Sequence, residues 1–494
     1  MPPLRTKFGE YMSTSDSYRL RQRRALGVAA MAVLAALSFG GTSAQAQTLE
    51  GALARAYQGN PNLNAQRAQV RATDEQVPQA LSGYRPTISA AVDAGFQRDR
   101  TKGVNSSFEQ TPAGLAPVRE RYNLIENSYP RGAGVTVEQN VFNGFQTKNS
   151  VRRAESNILG ARETLRNSEQ NILFDAAQAY MDVLRDYAIL DVRKNNVQVL
   201  EEELRAARER FQVGEVTRTD TAQAEAALQG ARSEVSASEA QLNTSRATYR
   251  QVVGEDIARP RAAKSIDRLL PKSLSQAIGL SQAQHPAILA ALHGVDAANL
   301  DIRVVEGNLL PSLNLQASFQ RRYDPGSSIN HTTSGSIVGQ LTIPIYEGGT
   351  VYSQARQAKE TAGQRRLEAD VSRDQVRQAV VSAWGQVEAT TAQIKSAQAQ
   401  IEASQTALNG VREEAKVGQR TTLDVLNAQQ DLLNARQSLI TAQRDRVVAT
   451  YALLSSVGWL TAERLGLQVA RYDPNVHYDQ VRDKWIGLRT PDGR

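Results

Sequence analysis

Two widely separated stretches of this chain follow one pattern, and that duplication limits its folds more than any composition figure. LEGALARAYQGNPNL at 49–63 is echoed by LSQAIGLSQAQHPAI at 274–288, so Pro61 answers Pro286 225 residues on, and Pro86 answers Pro311 at the same spacing. Further along, VFNGF at 141–145 answers IYEGG at 345–349, and the spacing is now 204. VGEVTRTD (213–220) and VGQRTTLD (417–424) keep 204, as do Gly254 and Gly458. The two spacings place a 21-residue length difference between Pro86 and Val141. Self-similarity at fixed spacing marks stacked or ring-forming architecture. The period is too long for a solenoid, which leaves two pseudo-equivalent halves of one wall.

The basic charge is concentrated at the front. Arg19, Arg21, Arg23 and Arg24 precede the apolar run Ala25–Phe39, and Ala44-Gln45-Ala46 then offers a signal-peptidase site. The reading is a cleaved leader over 1–46 and a mature chain from Gln47. Residues 1–46 hold six Lys/Arg and two acids, so most of the formal +7 belongs to the leader. Later basic residues do not cluster, which argues against a nucleic-acid partner. The chain has no cysteine. That excludes thiol catalysis, disulfides, Cys-ligated zinc and an acylated N-terminal cysteine. No stretch after residue 46 approaches the ~20 apolar residues of a spanning helix, so a membrane crossing would have to be a β-barrel.

Four segments alternate with strand period, at about 84–98, 134–143, 311–323 and 334–346. Ile88, Ala90, Val92, Ala94 and Phe96 share a face in the first. Val135, Val137 and Val141 do so in the second, Leu313, Leu315, Ala317 and Phe319 in the third, and Ile337, Gly339, Leu341, Ile343 and Ile345 in the fourth. Such alternation is how outer-membrane strands read, although an ordinary amphipathic sheet shares it. Tyr84, Phe96, Phe142, Phe319, Tyr323 and Tyr346 near the ends fit interfacial girdles. The polar stretches 98–133 and 321–334 read as loops joining the two strands of each half.

Helix fills the rest. Residues 145–212 lack proline and step apolar residues by three and four (Ile158, Ala161, Leu165; Leu173, Ala177, Tyr180, Leu184). Residues 349–416 match them in length. Each is followed by a turn and a second helix, completing hairpins 145–253 and 349–457, and 49–82 and 274–308 supply two more helices. Ala-rich seams on more than one face suit helices with two neighbours; a dimeric coiled coil would show a narrower, Leu-rich seam. Pro86, Pro311 and Pro344 on one side and Gly144, Gly348 and Gly349 on the other mark strand–helix junctions. The domain reading is therefore a first repeat over 47–263, a second over 264–460 and a polar tail over 461–494, which either wraps the helices or stays disordered. Four strands cannot close a barrel in lipid, so copies of the chain must close it; three would give twelve strands, and the residues alone do not choose three over two or four.

The signal peptide, duplicated halves, paired strands, paired hairpins and the two VG…T.D turns together resemble the TolC family of outer-membrane export ducts, above all in VGQRTTLDVLNAQQDLLNAR at 417–436. The resemblance covers 48–460. It implies an α+β fold of mainly long α-helices: a homotrimeric twelve-stranded outer-membrane β-barrel continuous with a periplasmic α-helical barrel. It also implies an export channel for proteins or small toxic molecules, with lipid around the barrel. The partners implied are a periplasmic adaptor and an inner-membrane ABC transporter or proton-driven pump. The missing lipoprotein cysteine favours the type I secretion branch. No cofactor, metal or enzymatic activity is expected: His285, His293, His331 and His477 lack ligand spacing, and P-loop, nucleophile-elbow and HExxH patterns are absent. A periplasmic adaptor, the main alternative, should carry one hairpin rather than two, and a structural coiled-coil protein gives no reason for the strands.

Candidate sites then fall at the hairpin tips. Gly214 and Gly418 suit left-handed helix ends, and Thr219 and Thr421 or Thr422 suit caps. Asp220 and Asp424 fall in the next helix's first turn, where an acid often only complements the helix dipole. The resemblance aligns Asp424 with an aspartate ringing the constriction, and Arg420 with an arginine that pairs with an aspartate on the adjacent hairpin, here Asp220. Asn427 stands where the family often has a second aspartate, and Ala415 where it has a tyrosine. The halves differ at Val216 against Arg420 and Arg218 against Thr422.

Overall fold

The computed structural model describes residues 47–112, 114–326 and 329–493. The expected leader, 1–46, lies outside the described residues. Helices dominate. The chain runs α1 (Leu49–Gly59), α2 (Pro61–Asp74), α3 (Gln76–Leu81), β1 (Thr87–Ala94), β2 (Gln97–Thr111), β3 (Gly114–Ser128), β4 (Arg131–Asn143), α4 (Gln146–Gln212) and α5 (Arg218–Val253). The second half follows with α6 (Leu274–Gln284), α7 (Pro286–Glu306), β5 (Ser312–Gly326), β6 (Ile329–Thr342), α8 (Thr350–Lys416), α9 (Thr422–Val457) and α10 (Pro474–Val481). The long helices match in length, 67 residues each, and so do the returning ones, 36 each. At ~1.5 Å per residue the long helices carry the tip turns about 100 Å from the strands.

Four expectations change. The helices expected at 49–82 and 274–308 are each broken, because Asn60 and His285 are extended N-caps and Pro61 and Pro286 open new helices at N1. Residues 98–133 are no loop: β2 and β3 pair as a 15-residue ribbon from Gln97↔Ser128 to Thr111↔Gly114. Likewise β5 and β6 reach to Gly326 and Ile329, shrinking the loop expected over 321–334. Strand β6 stops at Thr342, so Ile343 and Ile345 lie beyond the ladder, next to Pro344.

A four-stranded antiparallel sheet, ordered β1-β4-β5-β6, unites the halves through β4 and β5. Its register sorts the residues onto two faces. Ile88 lies opposite Val137, Val135 opposite Phe319 and Ala317 opposite Ile337, so these share a face. Ser89, Asp93, Thr136, Glu138, Gln316 and Ser318 occupy the other. A bulge between Asn140 and Phe142 reverses the alternation in β4, and Phe142 joins the apolar face opposite Leu313. That face is uncovered: Ile88, Val92 and Ile337 are 71%, 83% and 77% exposed.

The core lies at the waist of the helices instead. Leu173, Ala176, Ala177 and Tyr180 of α4 are fully buried against Leu53 and Leu63 of the short helices, Tyr249 of α5, Leu454 of α9 and Leu460 beyond it. Residues of the tail pack against this region. Arg67 lies over the rings of both Tyr57 and Tyr472, and His477 Nδ1 is 3.0 Å from the buried Asp74 carboxylate. Burial raises the Asp74 pKa, and the His477 contact pulls against that rise. Beyond α10, Arg85 donates to the Lys484 carbonyl (2.8 Å) and lies over Trp485, which ties the tail to the foot of β1.

The junction glycines differ in what they require. Pro86 and Pro311 each directly precede a strand, whereas Pro344 follows one. Gly348 (φ +63) needs only its conformation, since its added Cβ would meet open space. Gly144 (φ +62) needs more, because a Cβ there would stand 2.2 Å from the Gly307 carbonyl oxygen and 2.8 Å from Leu310 Cβ. Gly144→Ala combines a left-handed backbone with a backbone clash, on the order of 3 kcal/mol. Gly348→Ala carries only the ~1 kcal/mol conformational term. Chemical unfolding of the purified variants should rank them in that order; equal midpoints would contradict the close approach.

Candidate functional site

Both tips are built alike. Helix α4 ends at Gly214 (φ +83), where the Glu215 amide reaches back to the Arg210 carbonyl at 2.9 Å. Helix α8 ends at Gly418 (φ +78), where the Gln419 amide reaches the Glu414 carbonyl, also at 2.9 Å. Neither glycine has a neighbour that a Cβ would strike, so the backbone conformation alone demands it. The next helix then starts on a reciprocal cap. Thr217 Oγ1 accepts from the Asp220 amide (3.3 Å), while Asp220 Oδ2 accepts from the Thr217 amide (2.9 Å) and hydroxyl (2.7 Å). Thr421 and Asp424 repeat this at 3.2, 3.0 and 2.9 Å. The first cap is thus Thr217, not Thr219, since only Thr217 has the extended backbone three residues before Asp220.

These bonds set the charge of both carboxyls. Asp220 is held below the usual carboxylate range by the Thr217 hydroxyl and amide, with the Thr422 hydroxyl of the other tip adding to it. Asp424 is lowered by the Thr421 amide and hydroxyl, then by the nearby Arg420 charge.

The expected Arg420–Asp220 pair is not formed within the chain. Arg420 Nε donates to Glu414 of its own hairpin at 2.8 Å. Asp220 bonds to Thr217 of its own hairpin instead, and Thr422 near it on the other tip has Arg218 as its counterpart in the first half. Arg218 and Asn427 are exposed, with Asn427 on the α9 turn after Asp424. Ala415 packs beside Leu408 and Val425.

Other residues join the hairpins just above the tips. Arg412 of α8 donates to Glu203 of α4 at 3.1 Å, both half-buried. Gln429 of α9 donates to Asn196 at 3.1 Å, and Leu426 packs onto the cluster of Leu200, Leu204 and Ala224. Higher up, Arg444 of α9 bridges to Asp182 of α4 at 2.8 Å. Only Leu426 and Gln429, within the most telling stretch, had any sequence signal. Among the described residues there is no cluster of three potential metal ligands, and no helix is long and apolar enough to cross a membrane.

Comparison with known proteins agrees with this architecture. The family described as "Outer membrane efflux protein" matches residues 52–255 and 277–459. The chain is 45% identical over 470 residues to outer membrane efflux protein BepC of Brucella suis, covering 94% of this chain and 97% of that one. It is 24% identical over 462 residues to outer membrane protein TolC of Vibrio cholerae, covering 89% and 98%. Among solved structures, the CmeC outer membrane channel of Campylobacter jejuni superposes with a TM-score of 0.69 at 16% identity, over 88% of this chain and 89% of that one.

The caps make a prediction about the tips. Thr421→Val removes the hydroxyl bonds and should cost about 1 kcal/mol of local stability, a roughly five-fold rise in hydrogen exchange of the first amides of α9. The Asp424 contribution is complete above the usual carboxylate pKa and is lost as pH falls through the lower native value. Wild-type protection, corrected for intrinsic rates, should therefore hold from pH 7 to 5 and weaken only in stronger acid. A loss already complete at pH 5 would contradict the cap.

Proposed function

The chain belongs to the outer membrane efflux protein family of TolC-like channels, and we propose that three copies close into a single duct gated at the hairpin tips. It is an outer-membrane export channel with a large periplasmic portion. One observation carries the trimeric reading: a four-stranded antiparallel sheet, apolar and bare on one face and polar on the other, has open edges at β1 and β6. The two edge strands run antiparallel to each other, so a head-to-tail ring keeps every new pair antiparallel. Three copies give twelve strands around a lumen, with the apolar face in lipid and Asp93, Glu138 and Gln316 inward. Two hairpins per chain would give six around the periplasmic tunnel.

The duct is passive, and the chemistry of transport is selection rather than catalysis. Three Asp424 carboxylates about the axis would form a negative collar, kept ionised by the Thr421 caps. Asn427 adds no charge one turn further, which leaves the collar a single layer deep. Arg412–Glu203 and Gln429–Asn196 would hold the paired hairpins of each chain together at rest. Opening then moves the hairpins as pairs or breaks these ties. A periplasmic adaptor would engage the tunnel, and an inner-membrane ABC transporter or proton-driven pump would supply cargo and energy. The duplicated repeats, 47–263 and 264–460, supply the near-equivalent walls.

Asp424→Asn tests the collar without removing the cap acceptor. In planar bilayers it should lower cation selectivity and weaken block by multivalent cations by about ten-fold. Unchanged selectivity and block would remove Asp424 from the conduction path.

A further inference from the structure

The β2–β3 ribbon sorts its charges by face. Residues opposite each other in an antiparallel pair point the same way. One face therefore carries Arg98, Arg100, Lys102, Arg119 and Arg121 and no acid. The other carries Asp99, Glu109, Glu120 and Glu126 and no base. All five cations are exposed, and none is in an ion pair among the described residues. This arrangement works against the ribbon itself. Opposite charges across a pair stabilise and like charges destabilise, yet Asp99 lies directly opposite Glu126, while Arg98, Arg100 and Lys102 follow one another on one side. A ribbon adapted only to solvent would mix the signs.

The register shows where each face points. Ala94 pairs with Arg131 and Gln97 with Ser128, with the Gly95 amide bonded to the Pro130 carbonyl (2.8 Å) between them. The ladder thus crosses the break without a slip, and the parity of the side chains is preserved. The basic face is therefore continuous with the bare apolar face of Ile88, Ala90 and Val92. The acidic face continues the polar one, where Asp93 already neutralises Arg322 at 3.0 Å. Along the first face the order is apolar, then the Phe96–Tyr129 ring pair (centroids 5.4 Å apart), then basic. At the level where the sheet ends, Arg131 and Arg321 lie over the Tyr323 ring on the same face. Hydrocarbon, aromatic belt and cations succeed one another as the layers of a membrane do.

We propose that the basic face of the ribbon is a docking surface for the phosphate groups of the phosphorylated glycolipid in the outer leaflet. The inference rests on the barrel reading above. Residues i and i+2 on one strand stand about 7 Å apart, so Arg98, Arg100 and Lys102 form a ladder matched to clustered phosphates, and guanidinium groups bind phosphate in bidentate fashion. Lipid phosphates would relieve the like-charge repulsion, while the opposite face leaves an acidic lining at the outer mouth.

The test uses the purified full-length protein in neutral detergent and vesicles of neutral lipid doped with either a bis-phosphorylated glycolipid or its dephosphorylated form. Wild type should bind the phosphorylated vesicles about ten-fold more tightly, and this preference should shrink in 0.5 M salt as screening shortens the range of the charges. The triple variant Arg98→Ser, Lys102→Ser, Arg121→Ser should lose the preference. The opposite-face variant Glu109→Gln, Glu120→Gln should keep it. Equal binding of both vesicles by wild type, or an unchanged preference in the triple variant, overturns the proposal. Conductance in neutral planar bilayers, recorded for each protein, separates the two readings. A conducting wild type without phosphate preference sinks the lipid site and leaves the channel standing, and a conducting triple variant shows that lost preference is not lost folding.

Discussion

Everything in this fold depends on how the backbone hydrogen bonds of a small sheet are completed. Strands β1, β4, β5 and β6 satisfy one another internally, but among the described residues the outer rows of β1 and β6 have no strand partner. In water such edges are tolerable, whereas in hydrocarbon each bare group costs several kcal/mol. The apolar face makes hydrocarbon the favourable surroundings, so the same sheet that seeks lipid cannot enter it alone. Duplication answers this requirement. Each half supplies one hairpin of the sheet and one helical hairpin, and in the proposed ring of copies a single interface would close both layers.

The helices carry the consequence away from the membrane. A 67-residue helix without proline transmits position over about 100 Å, and its short partners are placed where the core needs width. Below that waist the core narrows to small apolar clusters, Leu200–Leu204–Ala224 and Leu408–Val425–Leu432, and polar ties between the hairpins, Arg412–Glu203 and Gln429–Asn196, that can be made and broken at modest cost. Stability is concentrated at the waist, and polarity at the tips where the proposed gate would move. The Asp220 and Asp424 carboxyls serve the backbone first, as caps, and Asp424 is a candidate for the pore through the charge that the cap preserves.

Much of this was legible in the residues. The equal helix lengths, the tip glycines, the strand periods read at about 84–98 and 311–323 and the junction prolines all follow from local rules. What was missed has physical reasons. The ribbon over 97–128 hid because both of its faces mix polar and apolar residues, Val104, Phe108 and Ile125 on one and Val118, Tyr122 and Leu124 on the other, which removes the hydrophobic alternation; the signal present is alternation of charge sign, as in Arg98-Asp99-Arg100 and Arg119-Glu120-Arg121. The bulge at Val141 is a register event that no period reveals. A cap is chosen by backbone conformation, which the residue type alone does not give, so Thr217 and Thr219 look alike in the sequence. Within one chain Arg420 reaches Glu414 of its own hairpin, a contact that a pairing inferred from resemblance does not reveal. His477 meets Asp74 across 403 residues, a contact only the folded tail creates.

The central claim is that this sheet is complete only as a ring of copies. Native mass spectrometry of the protein extracted from outer membranes measures that directly. A dominant species of three chains that persists on dilution is the predicted result. A folded, membrane-embedded single chain would contradict the account, because it would mean that open strand edges are tolerated in lipid.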